Sequence, residues 1–482
     1  MTGAAGTPVT RAATTRPRGP VAVHGSRASF ARYVADAQAR GVLVVQPRMG
    51  FSDPALMRAG LRATRDAAEA VVGTLTIDSY TRVGDELSAV RALNEDHSLN
   101  GYPISSLSPH TSRWVLDGVR DPSFPVQVRH GSARPQRIVA ALAALGLDAT
   151  EGGPVSYCLP YGRTPLADSV RNWQQACEFL ASLRATGAEP HLETFGGCML
   201  GQLCPPGLLV ALSALEAVFF HRAGLRSISL SYAQQTNPEQ DVHAIHALRR
   251  LAAELLPDTE WHIVLYTYMG LYPRSREGAL ELLERSAELA VEAGAARLIV
   301  KTVAEAHRIP TVAENVEALR VASAAARDAH RTAAARDTDR TAAAGPPPVS
   351  DNPVYAEARA LIDAVLGLDA DLGRALLTAF ARGYLDVPYC LHPDNAGRTR
   401  SYIDESGRLT WSEIGSMPIG PVARSSGRLT ARGLFDALSF VQSRHDNHFL
   451  APTAPTAPTA PTAAPSGRPR PLAGLSGGTS RR

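Results

Sequence analysis

The chain has 482 residues, of which 45% are hydrophobic and 20% charged, so it is long and apolar enough to bury at least one large core. Its net charge of +3 comes from the two ends, because five arginines precede residue 36 and four follow Asp446 with no acidic residue among them. Nucleic-acid-binding domains concentrate positive charge on their folded part, so this distribution argues against nucleic acid as a partner.

The five cysteines are an odd number, are scattered and form no CxxC pair. This pattern argues against a disulfide scaffold and a structural metal site, and it is typical of a reducing compartment. The longest apolar run, residues 207–220, is too short to span a bilayer and contains Glu216. The N-terminus lacks the apolar block of a secretory signal. We therefore expect a cytoplasmic protein with no membrane partner.

In chain order, residues 1–25 are predicted to form a disordered tail, and short apolar runs then alternate with longer amphipathic stretches over residues 26–321. Helices are predicted at 27–40, 135–145, 167–186, 208–223, 239–256 and 277–293. Strand candidates occupy 42–48, 74–80, 102–107, 126–130, 155–159, 191–195, 227–232, 262–268 and 297–301. Repeated strand–helix units favour an α/β fold, a (β/α)8 TIM-type barrel, with one of the nine strand candidates surplus. A doubly wound open sheet is the alternative, but no GxGxxG phosphate turn follows an early strand.

Three further regions follow the predicted barrel. Residues 322–353 contain a repeated AAARD pattern and end near a run of three prolines, which predicts a low-complexity linker or insert. Residues 354–448 read as an additional C-terminal α+β region that completes the barrel cap, with a helical pattern at 355–380 and an irregular functional loop or cap at 386–397. Residues 449–482 carry tandem Ala-Pro-Thr units and are predicted to be a disordered tail.

Arginines follow three of the first four strand candidates, at Arg48, Arg82 and Arg129. Barrel active sites form at the carboxyl ends of the strands, and guanidinium groups bind carboxylates through paired hydrogen bonds. One such arginine would more often pair with a neighbouring acid at the rim. Three at equivalent positions instead predict a substrate with two carboxylates, or a phosphate.

The next strand candidate is flanked by one carboxylate and two phenols, at Glu151, Tyr157 and Tyr161. Glu151 is a candidate to bind a substrate ammonium group, and the tyrosines either close the pocket or pack in the core. Lys301 ends the last strand candidate, and Glu305 follows four residues later, as a plain helical pair or as part of a site. A dianion with an ammonium group is an acidic amino acid, which is the ligand that these residues together favour.

Ten segments, in order, make the chain resemble the large (epsilon) subunit of glutamate mutase (methylaspartate mutase) over residues 41–310 and 355–418. They are QPRMG (46–50), TIDSYTR (76–82), LNGYP (99–103), QVRHG (127–131), EGGPVSYCLPY (151–161), ETFGG (193–197), MGLYP (269–273), LIVKTVAEAHRIPT (298–311), DVPY (386–389) and DNAG (394–397).

The resemblance implies an isomerase that interconverts L-glutamate and L-threo-3-methylaspartate by an adenosylcobalamin (coenzyme B12) radical mechanism. By position, the substrate would be held by Arg48, Arg82 and Arg129, with His130, Glu151, Tyr157 and Tyr161. Positions that contact the cofactor in the family correspond to Gly50, Asn100, Pro160, Tyr272, Lys301, Glu305 and Ile309. No metal-ligating residue is expected in this chain.

The resemblance also implies a partner, because in this family the cobalamin is held mainly by a separate small subunit with an Asp-x-His-x-x-Gly motif. That motif is absent here, and its nearest approach, Asp241-Val-His243-Ala-Ile-His246, lies in a helical pattern. We expect an obligatory small cobalamin-binding subunit and a homodimer of this chain within a heterotetramer.

Two alternatives stay open. A catalytically degenerate barrel would act as a scaffold for that subunit, although the arginines and Glu151 are all present. The other is a different barrel enzyme acting on a dicarboxylic acid, or a lyase or aldolase acting on a phosphorylated acid. A Gly-rich phosphate loop after the seventh or eighth strand would favour the phosphorylated acid, but Gly270 stands alone there.

Overall fold

The computed structural model describes residues 29–95, 98–160, 162–199, 203–339, 352–420 and 430–450, with the side chains of 336–339 and 448–450 left aside. Eight parallel strands alternate with helices in the first part of the chain. The strands are β1 Val44–Gln46, β2 Gly73–Thr76, β3 Val126–Arg129, β4 Ala149–Gly152, β5 His191–Thr194, β6 Ser227–Ala233, β7 Glu260–Tyr266 and β8 Arg297–Ile299.

The eight strands close into a barrel. Each strand pairs in parallel with its neighbour from β2 through to β8, and β8 then pairs with β1. A parallel bridge between Val45 and Val71 links β1 to the start of β2, supported by the hydrogen bond from Thr76 N to Met49 O at 2.9 Å. The predicted (β/α)8 barrel is therefore confirmed.

Helices enclose the barrel and begin at residues suited to cap them. At the start of the second helix, for example, Asp53 accepts a hydrogen bond from Ala55 N at 2.8 Å and Pro54 occupies the first turn. The helices are α1 Phe30–Ala39, α2 Pro54–Arg65, α3 Ser79–Val83, α4 Glu86–Asn94, α5 Pro109–Leu116, α6 Gln136–Ala144, α7 Leu166–Ser182, α8 Pro206–Arg222, α9 Pro238–Leu255, α10 Arg276–Ala293, α11 Val312–Asp339, α12 Pro353–Leu366, α13 Leu372–Arg382, α14 Ala431–Leu438 and α15 Phe440–Leu450.

The C-terminal region covers one side of the barrel. The apolar run at 207–220 lies in α8, whose residues from Pro206 to Phe220 are all buried. A helix that is apolar on every face needs cover on every face, and α12 packs on the side of α8 that faces away from β5 and β6. An antiparallel hairpin, β9 Thr399–Ile403 with β10 Leu409–Ile414, completes the additional α+β region.

Two strand predictions were wrong. Residues 102–107 form a turn with a single bridge from Tyr102 to Ile77, and Gly101 takes a φ of 125° where its backbone crosses β2. The fourth strand is Ala149–Gly152, whereas the predicted strand at 155–159 is a buried turn. Its apolar residues mimic a strand, but the backbone amides of Val155 and Ser156 bond the side chain of Glu216, and the amides that follow bond carbonyl groups within the turn instead of a ladder partner.

The prediction that residues 322–353 form a low-complexity linker or insert was wrong for the first half of that segment. Helix α11 runs to Asp339, and Ala318, Leu319, Ala322 and Ala326 are buried along one face. Alanine is the strongest helix former, and its small side chain permits close packing without large apolar residues. Residues 340–351 lie outside the described part of the chain. Residues 1–28 and 451–482, which include most of the two predicted tails, also lie outside it. The predicted C-terminal tail began at residue 449, but helix α15 continues to Leu450.

The described residues contain no helix with the length and apolar character needed to cross a membrane.

Candidate functional site

Six of the seven predicted substrate residues line one cavity at the carboxyl ends of β1 to β5. The cavity has a volume of about 100 Å³, which suits a small metabolite better than a large cofactor. Its walls are formed by Arg48, Thr76, Arg82, Arg129, His130, Gly131, Glu151, Tyr157, Phe195 and Met269. The seventh predicted residue, Tyr161, lies outside the described residues.

Arg129 and Glu151 form a buried ion pair at the base of this cavity. Arg129 ends β3, and its Nε donates to Glu151 Oε2 at 2.7 Å, with both side chains at most 5% exposed. Tyr157 donates to the other carboxylate oxygen of Glu151. Tyr266, at the end of β7, lies 2.8 Å from Glu151 Oε2 and 3.3 Å from Arg129 Nη2. A buried charge pair needs such supporting hydrogen bonds, which here also orient both charges.

The other two arginines, Arg48 and Arg82, differ in whether an acidic side chain of the described residues is bonded to them. Arg48 Nη1 donates to Glu305 Oε2 at 2.6 Å, so it joins the cavity to the segment after β8. Arg82 lies on α3, whose first turn is capped by Asp78. Within the described residues, Arg82 has no carboxylate partner, and its buried Nε lacks a hydrogen-bond acceptor. An uncompensated guanidinium beside Arg129 favours an anionic ligand.

His130 contributes a neutral ring. Burial, with the nearby Arg82 charge, lowers the pKa of His130 to about 3. Its Nδ1 accepts a hydrogen bond from Ser132 N at 3.2 Å, so the proton of the neutral ring resides on Nε2. That Nε2 is buried without a partner in the described part of the chain, and the ring stacks on Trp173 with 5.6 Å between centroids. His130 is thus oriented as a hydrogen-bond donor.

Glu216, within the apolar helix α8, holds two segments of the cavity wall. Its carboxylate accepts hydrogen bonds from Ser156 N at 2.9 Å and Gly196 N at 2.8 Å, together with bonds from Val155 N, Ser156 Oγ and Phe195 N. Burial raises the pKa of Glu216 to about 7, although these amides act in the opposite direction. The backbone just before Tyr157 and the backbone at Phe195 are therefore held by one side chain.

Lys301 lies at the end of β8, next to the Arg48–Glu305 pair. Of the 49 lysine and arginine residues in the chain, it is the only lysine. Its Nζ sits 4.3 Å from the centre of the Tyr272 ring, and the described residues offer it no hydrogen-bond acceptor. Burial lowers the pKa of Lys301 to about 8; Arg48 adds to this effect, and Glu305 opposes it. A buried ammonium with free donors favours a polar ligand.

The remaining predicted cofactor residues differ in burial and in their local contacts. Gly50 is required because a Cβ there would overlap the carbonyl oxygen of Thr76. Asn100 is exposed, Pro160 is half-buried and Ile309 is 47% exposed. Glu305 opens the short 3-10 turn Val303–Ala306, where its Oε1 accepts a hydrogen bond from Thr302 N at 3.2 Å.

Tyr266, Glu193, Glu216 and Met269 were not singled out from the sequence. Two signals were available: Glu193 and Glu216 are acidic residues inside otherwise apolar segments, a placement that buried strands and helices rarely tolerate without a partner. Glu193 bonds Tyr266 and forms an ion pair with Arg297 within the barrel. The described residues hold no cluster of three or more His, Cys, Asp or Glu side chains suited to a metal ion.

Known proteins resemble this chain along most of its length. The glutamate mutase epsilon subunit of Desulfitobacterium hafniense (strain Y51) is 29% identical over 405 residues, covering 81% of each chain. The epsilon subunit of Halobacterium salinarum is 29% identical over 407 residues, with 83% of each chain covered. That of Escherichia coli O157:H7 is 28% identical over 403 residues, with 81% of each covered.

Among solved structures, the YdjI aldolase of Escherichia coli K12 aligns with 66% of this chain and 99% of its own, at 14% identity and a TM-score of 0.32. We draw nothing about function from a likeness at that level. The model of the methylaspartate mutase E chain family matches residues 25–437, which include every described residue of the cavity. The chain therefore belongs to the methylaspartate mutase E chain family.

Proposed function

We propose that this chain is the barrel subunit of an isomerase that interconverts L-glutamate and L-threo-3-methylaspartate. One observation carries the proposal: three arginines and one carboxylate line a single small cavity at the carboxyl end of the barrel. With His130 neutral, the charged residues of the cavity wall are net positive, which suits a ligand with two carboxylates and one ammonium group.

Each polar residue has a role that its contacts support. Arg82, for which the described residues supply no carboxylate, and Arg48 bind the carboxylates that reach the outer part of the cavity. Arg129 binds a carboxylate through the Nη groups that Glu151 leaves available, since Glu151 contacts Nε. Glu151 accepts a hydrogen bond from the substrate ammonium, and His130 donates through Nε2. Tyr157, which bonds Glu151, limits movement of that carboxylate.

The cofactor expected for this reaction is adenosylcobalamin, and the residues around Lys301 fit part of it. The described residues offer Lys301 no hydrogen-bond acceptor, and Ile309, further along the same segment of the chain, is exposed. When bound, the cofactor supplies the radical chemistry of the rearrangement. Lys301 and Glu305 would contact its ribose, with Gly50, Asn100, Pro160 and Tyr272 nearby. The walls formed by Phe195 and Met269 exclude water from the cavity.

We further propose that the cobalamin is held mainly by a separate small subunit, and that two copies of this chain assemble with two of that subunit. The absence of an Asp-x-His-x-x-Gly motif in the sequence supports the need for such a partner.

An anaerobic assay tests the proposal, using the full chain, a small subunit that carries the cobalamin-binding motif, adenosylcobalamin and L-glutamate. We expect 3-methylaspartate to form only when all components are present. Cofactor-dependent binding of the small subunit without conversion of L-glutamate would contradict the proposed substrate. The absence of both binding and conversion would contradict the function as a whole.

A further inference from the structure

The loop between β7 and α10, residues 267–275, contributes to both parts of the proposed site. Met269 lines the substrate cavity, and the Tyr272 ring lies against Lys301 Nζ at 4.3 Å. Tyr268 and Tyr272 are buried, although Leu271 between them is 42% exposed. A loop that exposes a leucine beside buried tyrosines needs contacts that fix its backbone.

Helix α15 provides those contacts through two polar side chains. Gln442 Nε2 donates to Tyr272 O at 2.7 Å. The Asp446 carboxylate accepts hydrogen bonds from Arg274 N at 3.0 Å, Ser275 N at 2.9 Å and Ser275 Oγ at 2.7 Å. It also lies at the N-terminus of the 18-residue helix α10, where the helix dipole favours a negative charge.

Apolar and backbone packing bring α15 close to the same place. Val441 is 4% exposed and belongs to a buried cluster with Tyr268, Tyr272 and two residues of α10. A Cβ at Gly278 would lie 3.0 Å from the carbonyl oxygen of His445, so this glycine permits α15 to approach the first turn of α10. Because 441, 442, 445 and 446 share one face of a helix, a single helical face contacts the whole loop.

The match to the family model ends at residue 437, so α15 lies beyond the region that family membership describes. From these contacts we propose that α15 is a positioning element: Asp446 and Gln442 hold the 267–275 loop so that Met269 closes the substrate cavity and Tyr272 packs against Lys301. The inference rests on the proposed function only in treating Lys301 as a residue that faces the cofactor.

The uniqueness of Lys301 makes its environment measurable in the isolated full-length chain. An amine-reactive acetylating reagent can modify only Lys301 and the α-amino group, and mass spectrometry of peptides separates the two. The groups that set the charge state of Lys301 are Glu305 and Arg48, besides its burial against Tyr272. In the wild-type chain, we expect slow acetylation whose rate rises with a midpoint near the pKa of about 8.

The test compares Asp446→Ala and Gln442→Ala with Asp436→Ala, a matched control at an exposed carboxylate of α14. Loss of the Asp446 bonds is expected to speed hydrogen exchange of the amides at 267–276 about tenfold or more, because charge-assisted bonds of this kind contribute about 1.5–3 kcal/mol. The midpoint of Lys301 acetylation should move from about 8 toward the ordinary lysine value, and the limiting rate above that midpoint should rise because the amine is more accessible. Gln442→Ala, which removes one bond, should have a smaller effect in the same direction.

Identical exchange and acetylation in Asp446→Ala, Gln442→Ala and Asp436→Ala would overturn the proposal. Thermal melts check that the variants are folded. Neither readout requires substrate, cofactor or partner, so a positive result stands even if the mutase assay fails. In an active assembly, Asp446→Ala should raise the KM for adenosylcobalamin more than it lowers kcat; an unchanged KM would show that the loop position does not serve the cofactor.

Discussion

At the scale of single residues, the site depends on which charges already have partners. Arg129 is paired with Glu151, Arg48 is paired with Glu305, and the described residues leave Arg82 without a carboxylate. A bound ligand would therefore add carboxylates to three arginines, two of which already have an acidic partner in the protein. The geometry of each guanidinium matters as much as its charge, because paired hydrogen bonds set the orientation of a carboxylate.

Replacing Arg129 with lysine tests this geometry. Lysine keeps the positive charge but cannot bond Glu151 and a substrate carboxylate through separate nitrogens of one planar group. We expect kcat/KM for L-glutamate to fall about 100-fold or more, as the loss of one or two charge-assisted bonds implies. Arg137→Lys, at a surface arginine paired with Glu86, is the control and should have little effect. Unchanged kinetics in Arg129→Lys would contradict the role assigned to Arg129.

At the scale of secondary-structure elements, segments that bear site residues are held by buried carboxylates on neighbouring helices. Glu216 of α8 holds the turns after β4 and β5, and Asp446 of α15 holds the loop after β7. In each case a side chain satisfies several backbone amides that have left the sheet and have no ladder partner. Irregular backbone can be buried near an active site only when its amides are satisfied in such a way.

Substitution of Glu216 by glutamine is expected to destabilise the fold and to reduce activity. The amide nitrogen of glutamine cannot accept a bond from the backbone donors, whereas both oxygens of a carboxylate or of a protonated carboxyl group can, and an unsatisfied buried group costs about 1–3 kcal/mol. Glu178→Gln, at an exposed position of α7, is the matched control. Urea unfolding measures the free energy, and the KM for L-glutamate should rise because the Tyr157 turn loosens.

The free energy of unfolding of the wild-type chain and that of the Glu216→Gln variant should also depend differently on pH. The pKa of Glu216 is raised from 4.5 to about 7 in the folded state, so the folded chain binds more protons than the unfolded chain between those values. Its contribution to stability is therefore greatest below pH 4.5 and is lost as the pH rises to about 7. The stability difference between wild type and Glu216→Gln should be larger at pH 5 than at pH 7.5. A difference that grows with pH would contradict this assignment.

At the scale of the whole molecule, the barrel supplies the residues that line the cavity, and the C-terminal region contacts the segments that carry some of them. Helix α12 covers the apolar helix α8, and α15 contacts the β7–α10 loop. Residues that follow the barrel in sequence thus stabilise the segments that shape its mouth. An additional region of this kind contacts the loops of the barrel and fixes loop positions that the strands alone do not determine.

Two truncated chains distinguish the contribution of α15 from that of residues 451–482. Removal of residues 451–482, whose composition is dominated by Ala, Pro, Thr and Gly, should leave the melting temperature and the activity unchanged. Removal of residues 440–482 also deletes α15, and it should loosen the β7–α10 loop and weaken activity. Loss of folding in the shorter truncation would show that the tail contributes to the core.

The sequence by itself determined the barrel class, because alternating strand and helix periodicities are local properties. It also identified the arginines at 48, 82 and 129, since strand ends in a parallel barrel share one rim. Position along the chain did not reveal that residues 155–159 form a turn or that 322–339 are helical. Both outcomes depend on tertiary packing: Glu216 bonds the first two amides of that turn, and small alanines pack closely in α11. Only the tertiary structure paired Arg48 with Glu305 and brought α15 to the 267–275 loop, because contacts between residues far apart in sequence leave no periodic signal.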